Sequence, residues 1–302
     1  HTDTVGVEGM AAPFDPVERA GRLYGRGAQD MKSGVAAMVD AAARLAAGGG
    51  LSSGRLVVAA VADEEHASLG ADALVREHGA DGAVVTEPTG LAIATGHKGF
   101  EWVEVETRGR AAHGSRPAEG RDAILYMGRV LARLESVNAR LITGPAHPLL
   151  GTPSLHASTI GGGRELSVYP DRCCLRFERR TLTGEPPDVG LMEVQRALDE
   201  LREEDAAFEG SARQLFSRPA HEIGDDQPVC RALVQALERR GRDATPTGMS
   251  YWTDASVLGR AGTPAVLFGP SGAGLHGAEE YVEIDSVVTC RDTLVDLARA
   301  FC

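Results

Sequence analysis

Long apolar runs are missing from this chain. The longest, Leu56 to Ala62, is strand-sized and far short of the roughly 20 residues that a membrane span needs, so no membrane partner is expected. Basic clusters are missing too. Lys and Arg number 31 against 43 Asp and Glu, giving a net charge of −12 and a pI near 5.3. No Lys/Arg-rich run offers a footprint for duplex nucleic acid. Cysteine is sparse: Cys173, Cys174, Cys230, Cys290 and Cys302 make an odd set with two adjacent and no C-x-x-C. That excludes a secreted disulfide framework and points to a reducing cytoplasm. There is no internal repeat, no long linker and no signal-like segment. What is there is ordinary for a soluble globular chain, with 43% hydrophobic and 25% charged residues over 302 positions, enough for two domains at roughly 100–200 residues each. The acidic surplus fits either a solvated surface or a cluster that holds cations.

Hydrophobic periodicity places the elements. Gly25 to Gly34 reads as a glycine-containing loop. A helix follows from Ser33, with Val35, Met38, Val39, Ala42, Leu45 and Ala46 on its apolar face and Gly48-Gly49-Gly50 ending it. Arg55 to Ala62 reads as a buried strand, with Asp63-Glu64-Glu65 at its carboxyl end. A helix over Ala67 to His78 and a strand over Gly82 to Thr86 come next, and Glu87 lies just past that strand. Acidic residues beyond strand ends are the α/β pattern, in which sites form at the carboxyl edge of the sheet. From His97 the rhythm changes. Strands over Phe100–Arg108, Ser154–Ile160 and Glu165–Arg180, a strand-like Ala206–Leu215, and helices over Arg121–Asn138 and Val189–Glu203 give the order βαββαβ, a ferredoxin-like unit. The α/β rhythm returns after Pro219, with a helix over Pro228–Arg240, a strand over Thr263–Phe268 and a closing helix over Ile284–Phe301, whose apolar face includes Val287, Val288 and Leu294. The expected domains are 1–96 with 216–302, interrupted by 97–215.

The residues able to carry chemistry are His1, Asp3, Asp30, Glu64, Glu65, Glu87 and His276. Two imidazoles and several carboxylates, with no thiolate, suit zinc, cobalt or manganese better than a structural cysteine site. A pair of metals needs a bridging carboxylate and about two further ligands each, and this inventory is sufficient. Taken singly, each carboxylate is more often a helix cap or a solvated loop residue than a ligand, and a lone His is usually not a ligand, and no compact motif such as HExxH joins them.

With those residues in view, the chain resembles the M20 family of dinuclear metallopeptidases and amidohydrolases, and within it the acetylornithine deacetylase / succinyl-diaminopimelate desuccinylase group. His1-Thr2-Asp3-Thr4-Val5 matches H-x-D-T-V. Gly25-Arg26-Gly27-Ala28-Gln29-Asp30-Met31-Lys32-Ser33-Gly34 matches G-R-G-x-x-D-M-K-x-G. Asp63-Glu64-Glu65 matches D-E-E, and Thr86-Glu87-Pro88-Thr89 matches E-P-T. Gly109 to Gly114, which includes His113, matches G-x-x-A-H. Tyr169-Pro170-Asp171 followed by Glu178 to Leu182 matches the P-D … D-x-R region, and His276 with Glu280 and Val282 matches the terminal H-x-x-x-E-x-V.

The resemblance implies a zinc-peptidase-like α/β catalytic domain, truncated at its N-terminus, with an inserted ferredoxin-like α+β dimerisation domain. It implies two divalent ions, zinc with cobalt or manganese as alternatives. One would be held by His1, Asp30 and Glu87, the other by Asp30, Glu65 and His276, with Asp30 bridging. Asp3 would fix the His1 tautomer and Glu64 would be the general base. His113, from the partner subunit of a homodimer, would donate to the oxyanion. Arg180 would grip a substrate carboxylate, or else make an ion pair with Glu178 or Glu185. Gly248 to Ala255 would line the pocket through Trp252. Glu87 stands where deacylases and carboxypeptidases of the family have Glu and aminopeptidases have Asp, which favours an N-acyl amino acid as substrate. Ser167 replaces an Asn that contacts substrate in many members, and Lys32-Ser33-Gly34 replaces the commoner K-G-G. Two other readings stand beside the deacylase: a dipeptidase or carboxypeptidase of the same fold, and an inactive fragment that serves only for binding or dimerisation.

Overall fold

A computed structural model describes all 302 residues. They form two compact units, His1–His97 with His221–Cys302, and Lys98–Ala220. The second junction falls after Ala220 rather than at 215 because the strand Glu209–Arg218 completes the sheet of the second unit.

In the first unit, short strands form a mixed sheet in the order Thr247–Met249, Ala94–His97, Ala265–Leu267, Ala83–Val85, with His221–Glu222 added beside Ala94–His97. Ala83–Val85 and Ala265–Leu267 run parallel, and Glu87 leaves at the carboxyl end of the former. The helices Pro228–Glu238 and Ile284–Phe301 cover the sheet through Leu233, Leu237, Cys290 and Leu297, packed on Ile93, Val266 and Phe268. A smaller sheet runs in the order Val17–Arg19, Arg22–Tyr24, Tyr281–Glu283, Gly272–Ala273.

The helix Ser33–Ala47 buries Ala37, Ala41 and Leu45 and exposes Val39 and Ala46. The expected face is thus rotated toward small residues, because the helix lies close against Val295 and Ala298. At its start a side chain on Gly34 would stand 2.1 Å from the Thr86 carbonyl oxygen. Only glycine lets the helix rest on the strand end that carries Glu87. In the closing helix Val288 faces solvent, and Cys290 and Thr293 are buried instead.

Arg55–Ala62 is not a buried strand. Its backbone pairs only near its end, where Val61 accepts from Thr2 and Ala62 accepts from Gly70. Leu56, Val57 and Val58 are exposed, and a largely apolar cavity of about 540 Å³ separates the segment from Ala83–Val85. A strand is defined by its ladder partners, and apolar composition alone does not supply them.

The second unit has the order strand Gly99–Arg108, helix Ala123–Thr143, strands Ser154–Gly162 and Arg172–Thr181, helix Val189–Glu204, strand Glu209–Arg218. Its sheet is antiparallel throughout, in the order Ser154–Gly162, Arg172–Thr181, Gly99–Arg108, Glu209–Arg218. Val103, Val105, Leu175 and Phe177 alternate into a core with Met127, Val130, Leu134, Leu198 and Leu201. The third strand starts at Arg172, not Glu165, because residues 165–168 form a turn and Pro170 has no N–H for a ladder. The helix Ala123–Thr143 is capped by Asp122, whose carboxylate accepts from Ile124 and Leu125 at 2.9 Å each. Asp122→Ala should lower unfolding stability by about 1 kcal/mol in a urea titration.

Candidate metal centre

The sequence-distant candidates of the first unit converge. His1 is buried. Its Nε2 lies 3.1 Å from Asp30 Oδ1, 3.6 Å from Glu64 Oε2 and 3.7 Å from Glu87 Oε1. On the other side of the ring, Nδ1 lies 3.1 Å from the backbone carbonyl of Asp3 and 3.4 Å from its carboxylate. The carbonyl is therefore the nearer acceptor for the Nδ1 proton. The Asp3 carboxylate also accepts from the Glu65 N–H at 3.2 Å, tying His1 to the Asp63–Glu65 turn.

Asp30 sits in an irregular helical turn, Ala28–Lys32, with extended backbone angles and a cis bond to Met31. Its two oxygens face different imidazoles: Oδ1 faces His1, and Oδ2 lies 3.3 Å from His276 Nε2. His276 Nε2 also lies 3.2 Å from Glu65 Oε2. His276 holds a left-handed backbone, φ 58°, in a turn closed by the Gly277 N–H on the Gly274 carbonyl at 2.8 Å. Asp63 is left-handed as well, φ 69°, and its carbonyl accepts from Ala67 and Ser68, so that the turn presents Glu64 and Glu65. Non-glycine residues in this region cost energy and gather at functional sites.

Two sets of donor atoms result, His1 with Asp30 and Glu87, and Asp30 with Glu65 and His276; within each set the atoms lie within 4.8 Å of one another. Asp30 belongs to both, and Glu64 belongs to neither. The electrostatics are those of a carboxylate cluster short of positive charge. Burial opposes the His1 imidazolium, yet Asp30, Glu87 and Glu64 raise its pKa to about 10. Asp30 and Glu65 raise His276 to about 10. Burial acts to raise Asp30, but the two imidazoles hold it at about 2. Glu64 and Glu87 are pushed well above the usual carboxylate range, first by burial, then by each other's neighbourhood: Glu87 bears on Glu64, and Asp30 on Glu87. Glu87 Oε1 is buried and has no hydrogen-bond partner. A buried carboxylate oxygen without a donor, aimed at an imidazole and a second carboxylate, is costly unless a cation completes it. The donor set, all nitrogen and oxygen, fits zinc, cobalt or manganese.

Asp254 and Tyr251 belong to the same surroundings. The charge of Asp254 acts on both Glu64 and Glu87. The Tyr251 hydroxyl donates to the Pro88 carbonyl at 3.2 Å, and burial with the charges of Glu87, Asp30 and Glu64 pushes its pKa up. Trp252, expected to face substrate, is buried, with its ring edge-on to His97 at 6.0 Å between ring centres. His113, Ser167 and Arg180 lie in the second unit. His113 is exposed and accepts a hydrogen bond at Nδ1 from the Ser115 N–H, 3.2 Å. Ser167 is exposed, and its carbonyl accepts from Gly114 at 2.7 Å. Arg180 pairs with Glu178 at 2.6 Å and lies over the Phe100 ring, while Glu185 is taken by the buried Arg179.

The model of peptidase family M20/M25/M40 matches residues 1–300. A Myxococcus xanthus protein named acetylornithine deacetylase is 32% identical over 94% of this chain and 74% of its own length. A Buchnera aphidicola protein of the same name is 26% identical over 100% and 79%. Among solved structures, a tripeptidase from Staphylococcus aureus superposes with a TM-score of 0.78 at 18% identity, covering 95% of this chain and 76% of the other, a likeness of fold. The chain belongs to the peptidase family M20/M25/M40 and is a metal-dependent amidohydrolase or peptidase of that family.

Proposed function

We propose that this chain is a dinuclear metal-dependent amidohydrolase that removes the acyl group from an N-acyl amino acid, with zinc as its metal. The observation that carries the reading is the placement of Asp30, whose two oxygens serve two separate donor sets while Glu64 stands outside both. The relatives named acetylornithine deacetylase point to the substrate class.

His1, Asp30 and Glu87 would hold one ion, and Asp30, Glu65 and His276 the other. Bound there, the ions supply Lewis acidity that polarises the scissile carbonyl and makes water more acidic. Glu64 takes the proton from the attacking water on a carboxylate oxygen and returns it to the leaving nitrogen. In the metal-free chain burial, ahead of the charge of Glu87, raises its pKa. Asp3 holds the His1 ring through its carbonyl and the Glu65 backbone through its carboxylate.

The second unit supports a dimer reading. Its strand order and connections support the reading as an inserted ferredoxin-like domain, with the edge strand Ser154–Gly162 exposed. His113 accepts at Nδ1 from an N–H that can only donate. The Ser115 hydroxyl also lies 2.8 Å from Nδ1, so Nε2 would be the nitrogen that donates to an oxyanion on the partner subunit. Arg180 keeps its pair with Glu178 until a substrate carboxylate competes for it.

The test is hydrolysis of N-acetylornithine, other N-acyl amino acids and a panel of dipeptides, with zinc or cobalt added. N-acyl amino acids should be turned over with a kcat/KM at least about tenfold above any dipeptide, a preference of about 1.4 kcal/mol. The reverse order would favour the peptidase reading. A folded preparation that takes up no metal would overturn both.

A further inference from the structure

The buried pair Arg26–Glu280 has no part in the chemistry above. Both side chains are almost fully shielded, and Arg26 Nη1 lies 2.6 Å from Glu280 Oε2. The pair does more than neutralise itself. Glu280 Oε2 also accepts the Gly27 N–H at 3.1 Å, while Oε1 accepts the N–H groups of Gln29 at 2.9 Å and Asp30 at 3.0 Å. One carboxylate thus satisfies the inner backbone of the turn that carries the shared ligand. Arg26 reaches the other two ways: Nε donates to the Gly6 carbonyl at 3.1 Å, and Nη2 to the Gly277 carbonyl at 3.0 Å. Gly6 follows the His1–Asp3 segment, and Gly277 follows His276.

We infer that Arg26 and Glu280 are positioning residues that lock the His1, Asp30 and His276 segments into one rigid frame, and so set the spacing of the two donor sets. The inference rests on the dinuclear reading. Its physical ground is that an ordinary loop would satisfy these N–H groups with water. Here a charge carries them, in bonds stronger than neutral ones, at a position where a small movement of Asp30 alters both sites together. Buried ion pairs add little to stability by themselves and are strongly felt when one partner goes. Groups that orient metal ligands typically change affinity by about 10–100-fold.

The experiment titrates the metal-free chain with cobalt(II) chloride, following the visible absorption of the bound ion and its stoichiometry, beside thermal unfolding of the same samples. Glu280→Gln replaces one acceptor oxygen by an NH2 group that faces donors. It should weaken both cobalt sites by about 10–100-fold and change the absorption spectrum. Glu280→Asp should recover part of the affinity because it restores the charge. Arg26→Lys keeps the charge but loses the fork. It is the milder variant, usable should Glu280→Gln fail to fold, and it should weaken both cobalt sites by less than Glu280→Gln, because the Gly6 and Gly277 links, one to each donor set, go while the Glu280 links to Gln29 and Asp30 stay. Lowered melting temperature with wild-type cobalt affinity and spectrum in these variants would overturn the inference and leave the metal centre standing. A wild-type chain that binds no cobalt would overturn the metal centre itself.

Discussion

Asp30→Ala is expected to abolish binding at both donor sets in a single step. The wild-type chain should hold two zinc ions after dialysis at pH 7. The variant should hold close to none, and its amide hydrolysis should fall to the uncatalysed background. The reason is that Asp30 Oδ1 faces His1 and Oδ2 faces His276, so its removal leaves each set two donors and leaves two imidazoles facing each other without a shared anion. Glu87→Ala and His276→Ala provide the contrast, since each belongs to one set only, and each should leave one ion bound. Retention of one tightly held ion by Asp30→Ala would mean that the sets are independent. The same geometry gives the sign of the pH dependence. In the metal-free chain His1 and His276 keep their protons up to about pH 10, so zinc must displace protons at pH 7. Its affinity should rise as pH increases toward 10 and fall as pH decreases.

Much of the fold is legible in the residues because it rests on periodicity. Leu134, Leu198 and Phe177 repeat at helix or strand spacing and do bury. Periodicity starts the helix that carries Leu134 at Arg121, whereas Asp122 is its cap and the helix begins at Ala123. Periodicity is silent on partners, however. Arg55–Ala62 has a strand's composition and lacks a strand's ladder. Ala94–His97 is fully buried in the sheet with only small and polar residues to mark it, so its environment, not its side chains, makes it a strand. Ala37 and Ala41 outrank Val39 for burial because the neighbouring helix comes close. The donors illustrate the same division. His1, Asp30, Glu65, Glu87 and His276 are scattered and carry no local spacing rule, so only their joint occurrence in ordered motifs identifies them. Arg26 and Glu280 stood inside those motifs as letters without a role. Their link runs between residues 254 positions apart, a distance no window along the chain can see. Asp254 is further from recognition still, since its relevance lies only in its nearness to Glu64 and Glu87.

Glu64→Ala separates chemistry from metal binding. Glu64 Oε2 stands 3.6 Å from His1 Nε2, so it borders the centre, yet it is absent from both donor sets. Zinc content and the cobalt spectrum should therefore stay near wild type. A group that acts only in proton transfer should leave KM little changed. The loss falls on kcat, by about 10²–10⁴-fold, the usual worth of a positioned general base. Glu64→Asp offers the finer reading. It keeps the carboxylate on a stem one methylene shorter, so activity should recover only in part, and the recovered fraction measures how closely the base must approach the attacking water. Turnover unaltered in Glu64→Ala would assign the proton transfer to another group, and Asp254, whose charge bears on Glu64 in the same surroundings, would be the next carboxylate to replace.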